Sequence, residues 1–535
     1  MTAQSRALGI PEILELILNH VPINEGPKHV VNSPRPPMLD SPTGSRFGFS
    51  PPIHPGPTAR PRVHRRPQLL RPSRTRGKGI LLAVALSCRC FTLPALRVLW
   101  RTMYSIDPLI SLLPIVNLDG QRTLAPQISP EKWARFDLYR HLIRVLSVNH
   151  LATEPVSGLW SLDPVWTTII AIKPLPLPHL HTLIITEFNH AMTPNVFAPF
   201  LASPLLQTIQ VGKISNRGTF LSFCSLFHHV APSPLHALLV GQEGVSPATL
   251  KLVTSPALRT LQTHLAEAST FQALDNLPLL QHLQLHLSGD MVEVCLQTLS
   301  LPSLRLLHIS GDIASITGFL STCECDLERI SIKLPSRWHL RDSPGGTPGF
   351  LLGLVSTKWA HSLRHLDLWC NATPTATNDL WDNLNFMDMI KSLSSVPLLT
   401  LRILDSPFKL GSDTSIVTVA SYFPHIQALS LPCSKQGAEL TFDELSKIGA
   451  SCPSLRHLGA SVALQGSVLP PIVEHGLKTL DVLNSLVMGT LEDTALGLDR
   501  IFPSLSNIRC SIPEEDVCWT GVERFLKLIR RVREQ

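Results

Sequence analysis

Leu301-Pro-Ser-Leu-Arg-Leu-Leu-His-Ile309 contains the pattern that decides the fold of this chain. A proline is followed by three apolar positions, here Leu304, Leu307 and Ile309, with two variable residues in the first gap and one in the second. The clear copies of these apolar positions are Leu180-Leu183-Ile185, Leu206-Ile209-Val211, Leu235-Leu238-Val240, Leu280-Leu283-Leu285, Leu304-Leu307-Ile309, Leu327-Ile330-Ile332, Leu363-Leu366-Leu368, Leu398-Leu401-Ile403, Ile426-Leu429-Leu431, Leu477-Leu480-Val482 and Leu505-Ile508-Cys510.

The spacing of the copies predicts the architecture. Weaker copies of the pattern begin at Leu258 and Leu455, and an early one begins at Ile143. Successive copies lie 22 to 37 residues apart, a spacing that fits a strand, a loop and a helix in each unit. No single unit can bury its own apolar strand face, so the units must stack. We predict an α/β fold, a leucine-rich-repeat solenoid over residues 126–535 that a helix over 514–533 closes. A doubly wound α/β domain is the alternative, because its buried strands carry similar apolar runs.

The N-terminal region has a different organisation. Residues 10–21 place six apolar side chains at helical spacing and predict an amphipathic helix. Residues 80–104 predict a buried helix, a break at Pro94 and a second helix. Between them, residues 22–79 hold 13 prolines and 11 Lys or Arg against two acidic residues, a composition that predicts disorder.

Charge is concentrated in that insert. The whole chain has a formal net charge of +6, so the residues outside the insert are net negative. We therefore do not expect the solenoid to bind nucleic acid by charge.

Short motifs on both sides of the insert share a pattern. They are Ile10-Pro-Glu12 followed by Leu14 and Ile17, then Leu86-Ser-Cys-Arg-Cys-Phe91, Pro94-Ala-Leu96 and Leu99-Trp-Arg101. These motifs resemble the Leu-Pro-x-Glu, Leu-Val-Cys-Arg-x-Phe, Pro-Ala-Leu and Leu-Trp-Arg segments of the F-box, and the degenerate repeats resemble those of F-box proteins. The link to the repeats resembles that of the large fungal branch of the family, in Asp107-Pro-Leu109 through Leu113-Pro114, then Trp133-Ala-Arg-Phe136 and Tyr139-Arg140. On this basis residues 1–21 are the first helix of an all-α trihelical module, 22–79 its insert, and 80–125 its remainder and linker.

The resemblance implies a function. An F-box docks on a Skp-type adaptor of a cullin-RING ubiquitin ligase, and the solenoid then holds the protein target. Carried over by position, the adaptor-binding residues would be Ile10, Pro11, Leu14, Ile17, Leu86, Phe91, Leu99 and Trp100. The alternative is a leucine-rich-repeat scaffold for protein interactions without a ligase role.

The strands themselves predict a binding surface. Side chains alternate along a strand, so residues between the apolar positions face away from the core, and solenoids bind partners on their concave faces. The predicted target-binding residues are His282, Gln284, His308, Arg329, His365, Asp367 and Trp369.

Other classes of function lack support in the sequence. It contains no phosphate-binding glycine loop, zinc-protease motif or nucleophile elbow, so we expect no intrinsic catalysis and no cofactor. Cys88 and Cys90, like Cys323 and Cys325, are separated by one residue rather than the two to four of zinc sites. The sequence has no apolar run of about 18 residues and no signal peptide, so we expect a soluble protein of the cytoplasm or nucleus with reduced cysteines.

Overall fold

The computed structural model describes residues 76–535 apart from gaps at 119–120, 149–163, 189–193, 232–233, 254, 266–272, 288–297, 335–357, 371–385, 405–415, 432–438, 465–469, 484, 486, 488 and 511–515. The predicted first helix, residues 10–21, and the insert up to residue 75 lie outside these ranges.

The described helices and strands alternate along most of the chain. The strands are β1 (Thr102–Met103), β2 (Ile115–Leu118), β3 (Gln121–Leu124), β4 (Val145–Val148), β5 (Thr182–Phe188), β6 (Thr208–Ile214), β7 (Ala237–Gly244), β8 (Thr260–Leu265), β9 (His282–Leu287), β10 (Leu299–Ser300), β11 (Leu306–Ser310), β12 (Cys323–Glu324), β13 (Arg329–Leu334), β14 (His365–Cys370), β15 (Thr400–Leu404), β16 (Ala428–Ser430), β17 (His457–Ala460), β18 (Thr479–Val482) and β19 (Asn507–Cys510). The α-helices are α1 (Arg76–Ser87), α2 (Arg89–Arg101), α3 (Asp107–Ile110), α4 (Pro130–Arg140), α5 (Pro164–Ile172), α6 (Ala198–Leu201), α7 (Arg217–Val230), α8 (Pro247–Val253), α9 (Ile313–Thr322), α10 (Phe386–Leu393), α11 (Ile416–Ser421), α12 (Phe442–Ser451), α13 (Leu491–Ile501) and α14 (Asp516–Glu534).

One long parallel sheet organises the described residues. Its 15 strands follow the order β1-β4-β5-β6-β7-β8-β9-β11-β13-β14-β15-β16-β17-β18-β19, so each sheet strand lies beside the next one along the chain. A doubly wound domain reverses its strand order at a switch point, and no reversal occurs here. The predicted α/β repeat fold is confirmed, and the doubly wound alternative is excluded. The sheet begins at Thr102, inside the range predicted as module and linker.

The proline of the repeat forms a turn before the strand. In Leu301-Pro-Ser-Leu304 the N–H of Leu304 donates to the carbonyl of Leu301 at 3.0 Å, and proline's fixed φ suits the second position of such a turn. Equivalent turns with proline in this position begin at Leu177, Ser203, Ser255, Leu277, Phe423, Cys452 and Phe502. The repeated proline therefore sets the direction in which the chain enters each strand.

A shared backbone carbonyl joins each unit to the next. The carbonyl of Gln281 accepts the N–H groups of Arg305 and Leu306, both at 3.0 Å. The carbonyl of Arg305 in turn accepts those of Glu328 and Arg329, at 2.9 and 3.0 Å. The same arrangement recurs at the carbonyls of Arg144, His181, Gln207, His236, Arg259, Glu328, Arg364, Leu399, Gln427, Arg456 and Lys478. These bonds fix the register of successive strands independently of their side chains.

The apolar repeat positions form the core. Leu283, Leu307, Ile330 and Leu366 are fully buried, and one hydrophobic cluster runs from the first strand of the sheet to the last helix. Helices contribute the other side of this cluster. Several of these helices begin directly after a capping residue, such as Asp312, whose side chain accepts the backbone N–H of the residue three positions later.

The last helix packs against the end of the solenoid. Trp519 of α14 is buried, and its indole N–H donates to the carbonyl of Ser485 at 2.9 Å. Asp499 of α13 is also buried and forms ion pairs with Arg533 and, at 3.8 Å, with Arg530. Because a buried carboxylate is costly unless paired, these contacts tie α14 to α13.

The break between the two N-terminal helices differs from the prediction. It lies at Cys88, which has an extended backbone, and Pro94 lies inside α2. The hydroxyl of Thr92 lies 2.8 Å from the carbonyl of Ala85 and 3.2 Å from that of Cys88, so it satisfies backbone acceptors at the joint. Pro94 removes only the hydrogen bond to Cys90, in the exposed first turn of α2, where water can reach the carbonyl. α1 also begins at Arg76, three residues before the predicted end of the insert at residue 79.

Two neighbouring leucines of β11 provide a test of the core assignment. Leu307 is fully buried whereas Leu306 is only partly buried, although they differ by one position. We expect Leu307→Ala to lower the free energy of unfolding by about 2–5 kcal/mol through the cavity it leaves, and Leu306→Ala to lower it by less than about 1 kcal/mol. Urea denaturation followed by circular dichroism measures both. Equal losses from the two variants would contradict the assignment of faces.

Candidate functional site

The seven predicted target-binding residues share one face of the sheet. We call this the open face; its residues alternate with the buried ones, as His282, Gln284 and His286 do in β9. Strand pairing places His282, Leu306, Arg329, His365 and Thr400 in one cross-strand row and Gln284, His308, Ser331, Asp367 and Arg402 in the next. A third row contains His286, Ser310, Lys333, Trp369 and Leu404. The predicted residues therefore lie on four adjacent strands, about 15 Å across at about 4.8 Å per strand.

A charged triplet crosses the middle of the open face. Asp367 is 8% exposed, and its Oδ2 lies 3.6 Å from Nε of Arg329. Arg402 is paired in register with Asp367 on the opposite side. Asp367 Oδ1 and Arg402 Nε are buried without a hydrogen-bond partner among the described residues. The triplet has one more positive than negative charge, and Asp367 Oδ1 and Arg402 Nε remain able to form hydrogen bonds.

Two histidines border this triplet. His365 shares a 2.9 Å hydrogen bond between its Nδ1 and the hydroxyl of Thr400. Burial, together with repulsion from Arg329, lowers the pKa of His365 below its ordinary value, and Asp367 opposes this effect. Burial and Arg329 also lower the pKa of His308. Both imidazoles are therefore neutral near pH 7 and can donate and accept hydrogen bonds.

A second histidine pair extends the open face, and the sequence analysis did not include it. The rings of His264 and His286 have centroids 4.7 Å apart, and Nδ1 of His286 lies 2.8 Å from the hydroxyl of Ser310. Burial and the neighbouring His286 lower the pKa of His264 to about 4. Burial and Lys333 lower the pKa of His286. The alternation of His282, Gln284 and His286 was the sequence signal that could have identified this third row.

Trp369 is the large apolar residue predicted for this face. It is 39% exposed and is paired in register with Lys333. Tryptophan and arginine side chains contribute disproportionately to protein–protein binding energy. Among the described residues, no group of three or more His, Cys, Asp or Glu side chains is arranged to hold a metal ion. The open face thus offers hydrogen bonds, charge and one aromatic surface for non-covalent recognition.

The predicted adaptor-binding residues are only partly within the described ranges. Ile10, Pro11, Leu14 and Ile17 lie outside them. Leu86 is 78% exposed at the end of α1, and Phe91, Leu99 and Trp100 of α2 are partly exposed. The ring of Trp100 packs 4.4 Å from that of Tyr139 in α4.

α1 and α2, the helical pair, have a small core of their own. It consists of Leu81, Ala85, Ala95 and Val98 and is separate from the core of the solenoid. Several apolar side chains outside this core are exposed, namely Ile80, Leu82, Leu86 and Leu93. The helical pair therefore presents an apolar surface to solvent.

The fold and its repeated turn define a leucine-rich-repeat solenoid. No protein-family model and no curated protein matches this sequence. Among solved structures, it is similar to the leucine-rich repeat-containing protein LegL7 from Legionella pneumophila, with 12% sequence identity and a TM-score of 0.36. The match covers 64% of this chain and 98% of that chain. The solenoid assignment itself rests on the strand order and repeat geometry described above. None of the described helices is both long and apolar enough to cross a lipid bilayer.

The histidine pair predicts an acid-sensitive fold. The pKa of His264 is about 4 in the folded chain and ordinarily about 6.5, so between these values the unfolded chain binds more protons and stability falls as the pH falls. After allowance for solvent screening of a half-buried group, we expect a loss of about 1 kcal/mol on going from pH 7 to pH 5. His264→Gln should weaken this dependence in urea denaturation at stepped pH. The exposed His361 supplies the control, and a His361→Gln effect of the same size would contradict the prediction.

Proposed function

We propose that this protein is the substrate-recognition subunit of a Skp-cullin-F-box type ubiquitin ligase. In this proposal the helical pair docks on a Skp-type adaptor, and the open face binds the protein that is to receive ubiquitin. The catalytic steps belong to other subunits of the ligase, and this chain contributes proximity. The observation that carries the proposal is the exposed apolar surface of the helical pair, in the segment whose motifs resemble the F-box.

The composition of α1 supports a docking role. Its residues from Ile80 to Leu86 are all apolar, but only Leu81 and Ala85 are buried. A helix that is apolar on all sides is normally covered on all sides, and a contiguous exposed apolar surface is typical of interaction sites. A partner that covers Leu82 and Leu86 would remove this surface from water.

The connection between helical pair and solenoid supports a role in positioning a target. α2 ends at Arg101 and β1 begins at Thr102, without an intervening linker. Trp100 packs against Tyr139 of the solenoid, which restrains the end of α2. A target on the open face would then be held at a defined position relative to whatever binds α1.

The second candidate is a leucine-rich-repeat scaffold without a ligase role. The packing of Trp100 favours it, because a side chain already used inside its own chain is less available to an adaptor. In that case the surface of the helical pair would have another partner, and the open face would keep its role in protein binding.

Adaptor docking can be tested with one exposed leucine. The full-length chain, co-expressed with a Skp-type adaptor, should co-purify with it. Leu86→Asp should weaken binding roughly a hundredfold or more, because a charge would be buried in an apolar interface. The matched control is Leu528→Asp, since Leu528 is also exposed, at 55%, but lies on α14. Isothermal titration calorimetry of the purified proteins measures the affinities.

The insert provides a further arm of this experiment. A variant without residues 22–75 keeps α1 complete, because α1 begins at Arg76. Binding by the full chain and by this variant, with loss in Leu86→Asp, supports the ligase role. Binding by the deletion variant alone would make the insert an inhibitor of docking. If neither form binds, the ligase proposal fails and the scaffold remains.

A further inference from the structure

Two exposed thiols meet at the joint of the helical pair. Cys88 connects α1 to α2, and Cys90 lies in the first turn of α2. Their sulfur atoms are 3.1 Å apart, and both side chains are exposed. Neither the fold nor the proposed function uses these thiols.

Hydrogen bonds that do not involve sulfur hold this joint in place. The hydroxyl of Ser87 donates to the carbonyl of Val84 at 2.8 Å, and the hydroxyl of Thr92 lies within bonding distance of the carbonyls of Ala85 and Cys88. The N–H of Phe91 donates to the carbonyl of Cys88 at 3.0 Å. The two sulfur atoms are therefore brought together by the backbone conformation.

The thiols differ in acidity. The hydrogen bond between the two thiols lowers the pKa of Cys88, and a backbone hydrogen bond at Cys90 adds to this effect. The pKa of Cys90 is raised by the same hydrogen bond. The positive end of the α2 dipole also favours a thiolate at this position. Cys88 is consequently the nucleophile of the pair, because the thiolate is the reactive form.

A second cysteine pair in the solenoid has the same spacing and a different environment. The sulfur atoms of Cys323 and Cys325 are 3.3 Å apart, but Cys323 is buried. Its hydrogen bond with Cys325 and its burial raise the pKa of Cys323 well above the ordinary value. Oxidants have little access to a buried, protonated thiol, so this pair is an internal reference.

We propose that Cys88 and Cys90 form a thiol–disulfide redox site whose oxidant is a small-molecule disulfide such as oxidised glutathione. The Cys88 thiolate attacks one sulfur of oxidised glutathione, forms a mixed disulfide and releases one glutathione thiolate. Cys90 loses its proton and attacks the Cys88 sulfur, which forms the Cys88–Cys90 bond and releases the second glutathione. Two protons pass from the protein thiols to the two released thiolates, and two electrons reduce the glutathione disulfide.

The expected disulfide is easily reversed. The sulfurs must approach from 3.1 Å to about 2.05 Å, and the resulting ring closes over Arg89 alone. So short a loop removes little entropy from the unfolded chain and gives the bond little stabilisation. Exposed or strained disulfides are the labile ones. The site therefore responds to the thiol–disulfide balance around it and does not serve as a permanent cross-link.

Trypsin offers a direct readout of this bond. It cleaves after Lys78, Arg89 and Arg97, so Cys88 falls in peptide 79–89 and Cys90 in peptide 90–97. The full-length protein is exposed to glutathione at stepped ratios of oxidised to reduced form, sampled at stepped times, blocked with N-ethylmaleimide, digested and analysed by mass spectrometry. We expect peptides 79–89 and 90–97 to become joined about tenfold faster than Cys323 and Cys325 are oxidised at the same ratio, because a buried, protonated thiol reacts slowly.

Single-cysteine variants separate the disulfide from simple modification. In Cys88→Ser and Cys90→Ser the joined peptides should disappear, and the remaining thiol should carry glutathione or the maleimide. Maleimide on both cysteines of the unaltered protein at every ratio would overturn the proposal, as would glutathione adducts without joined peptides. Oxidation of Cys323 and Cys325 as fast as that of Cys88 and Cys90 would also overturn it, because access would then not distinguish the pairs. Circular dichroism before and after the exposure to glutathione verifies that the fold persists.

Discussion

A backbone carbonyl that accepts two N–H groups from the following unit is the contact on which the solenoid depends. It recurs from Arg144 to Lys478, just before each strand, and aligns the strand that follows. Because no side chain takes part, the loops and helices between strands can differ in length without shifting the register. The apolar positions then always face the same way, which gives one continuous core and one open face. The regular backbone hydrogen bonds thus keep successive strands in register although the repeats differ in length.

The repeat architecture could be predicted from sequence patterns that each span only a few residues. Proline at the second position of a turn and apolar residues at alternating strand positions have the same meaning in every unit, so Leu301–Ile309 was informative about the others. The joint between α1 and α2 was predicted at Pro94 but lies at Cys88. At this joint the hydroxyl of Thr92 lies within hydrogen-bonding distance of the carbonyl of Ala85, seven residues earlier in the sequence. Pro94 is accommodated inside α2, so a proline did not by itself mark the joint.

Only part of the open face could be predicted from the sequence. Alternation placed His282, Arg329 and Asp367 on the correct side of their strands. It could not show that Asp367 lies between Arg329 and Arg402, because that neighbourhood depends on the register of three strands. The contact between His264 and His286 likewise joins separate repeats. Contacts between side chains of different repeats could be found only from the strand pairing in the structure. The face that a side chain occupies within one strand could be predicted from the sequence.

The consecutive order of the strands also determines how this chain folds. Each pairing closes a loop of about one repeat, so the entropy of closure does not accumulate with chain length, and contacts remain close in sequence. Folding can begin in any group of units and spread in both directions. Terminal units have one neighbour instead of two and open first, and the pairing of Asp499 with Arg533 opposes this at the C-terminal end. We therefore expect local stability to vary along the chain and to be highest in the interior repeats.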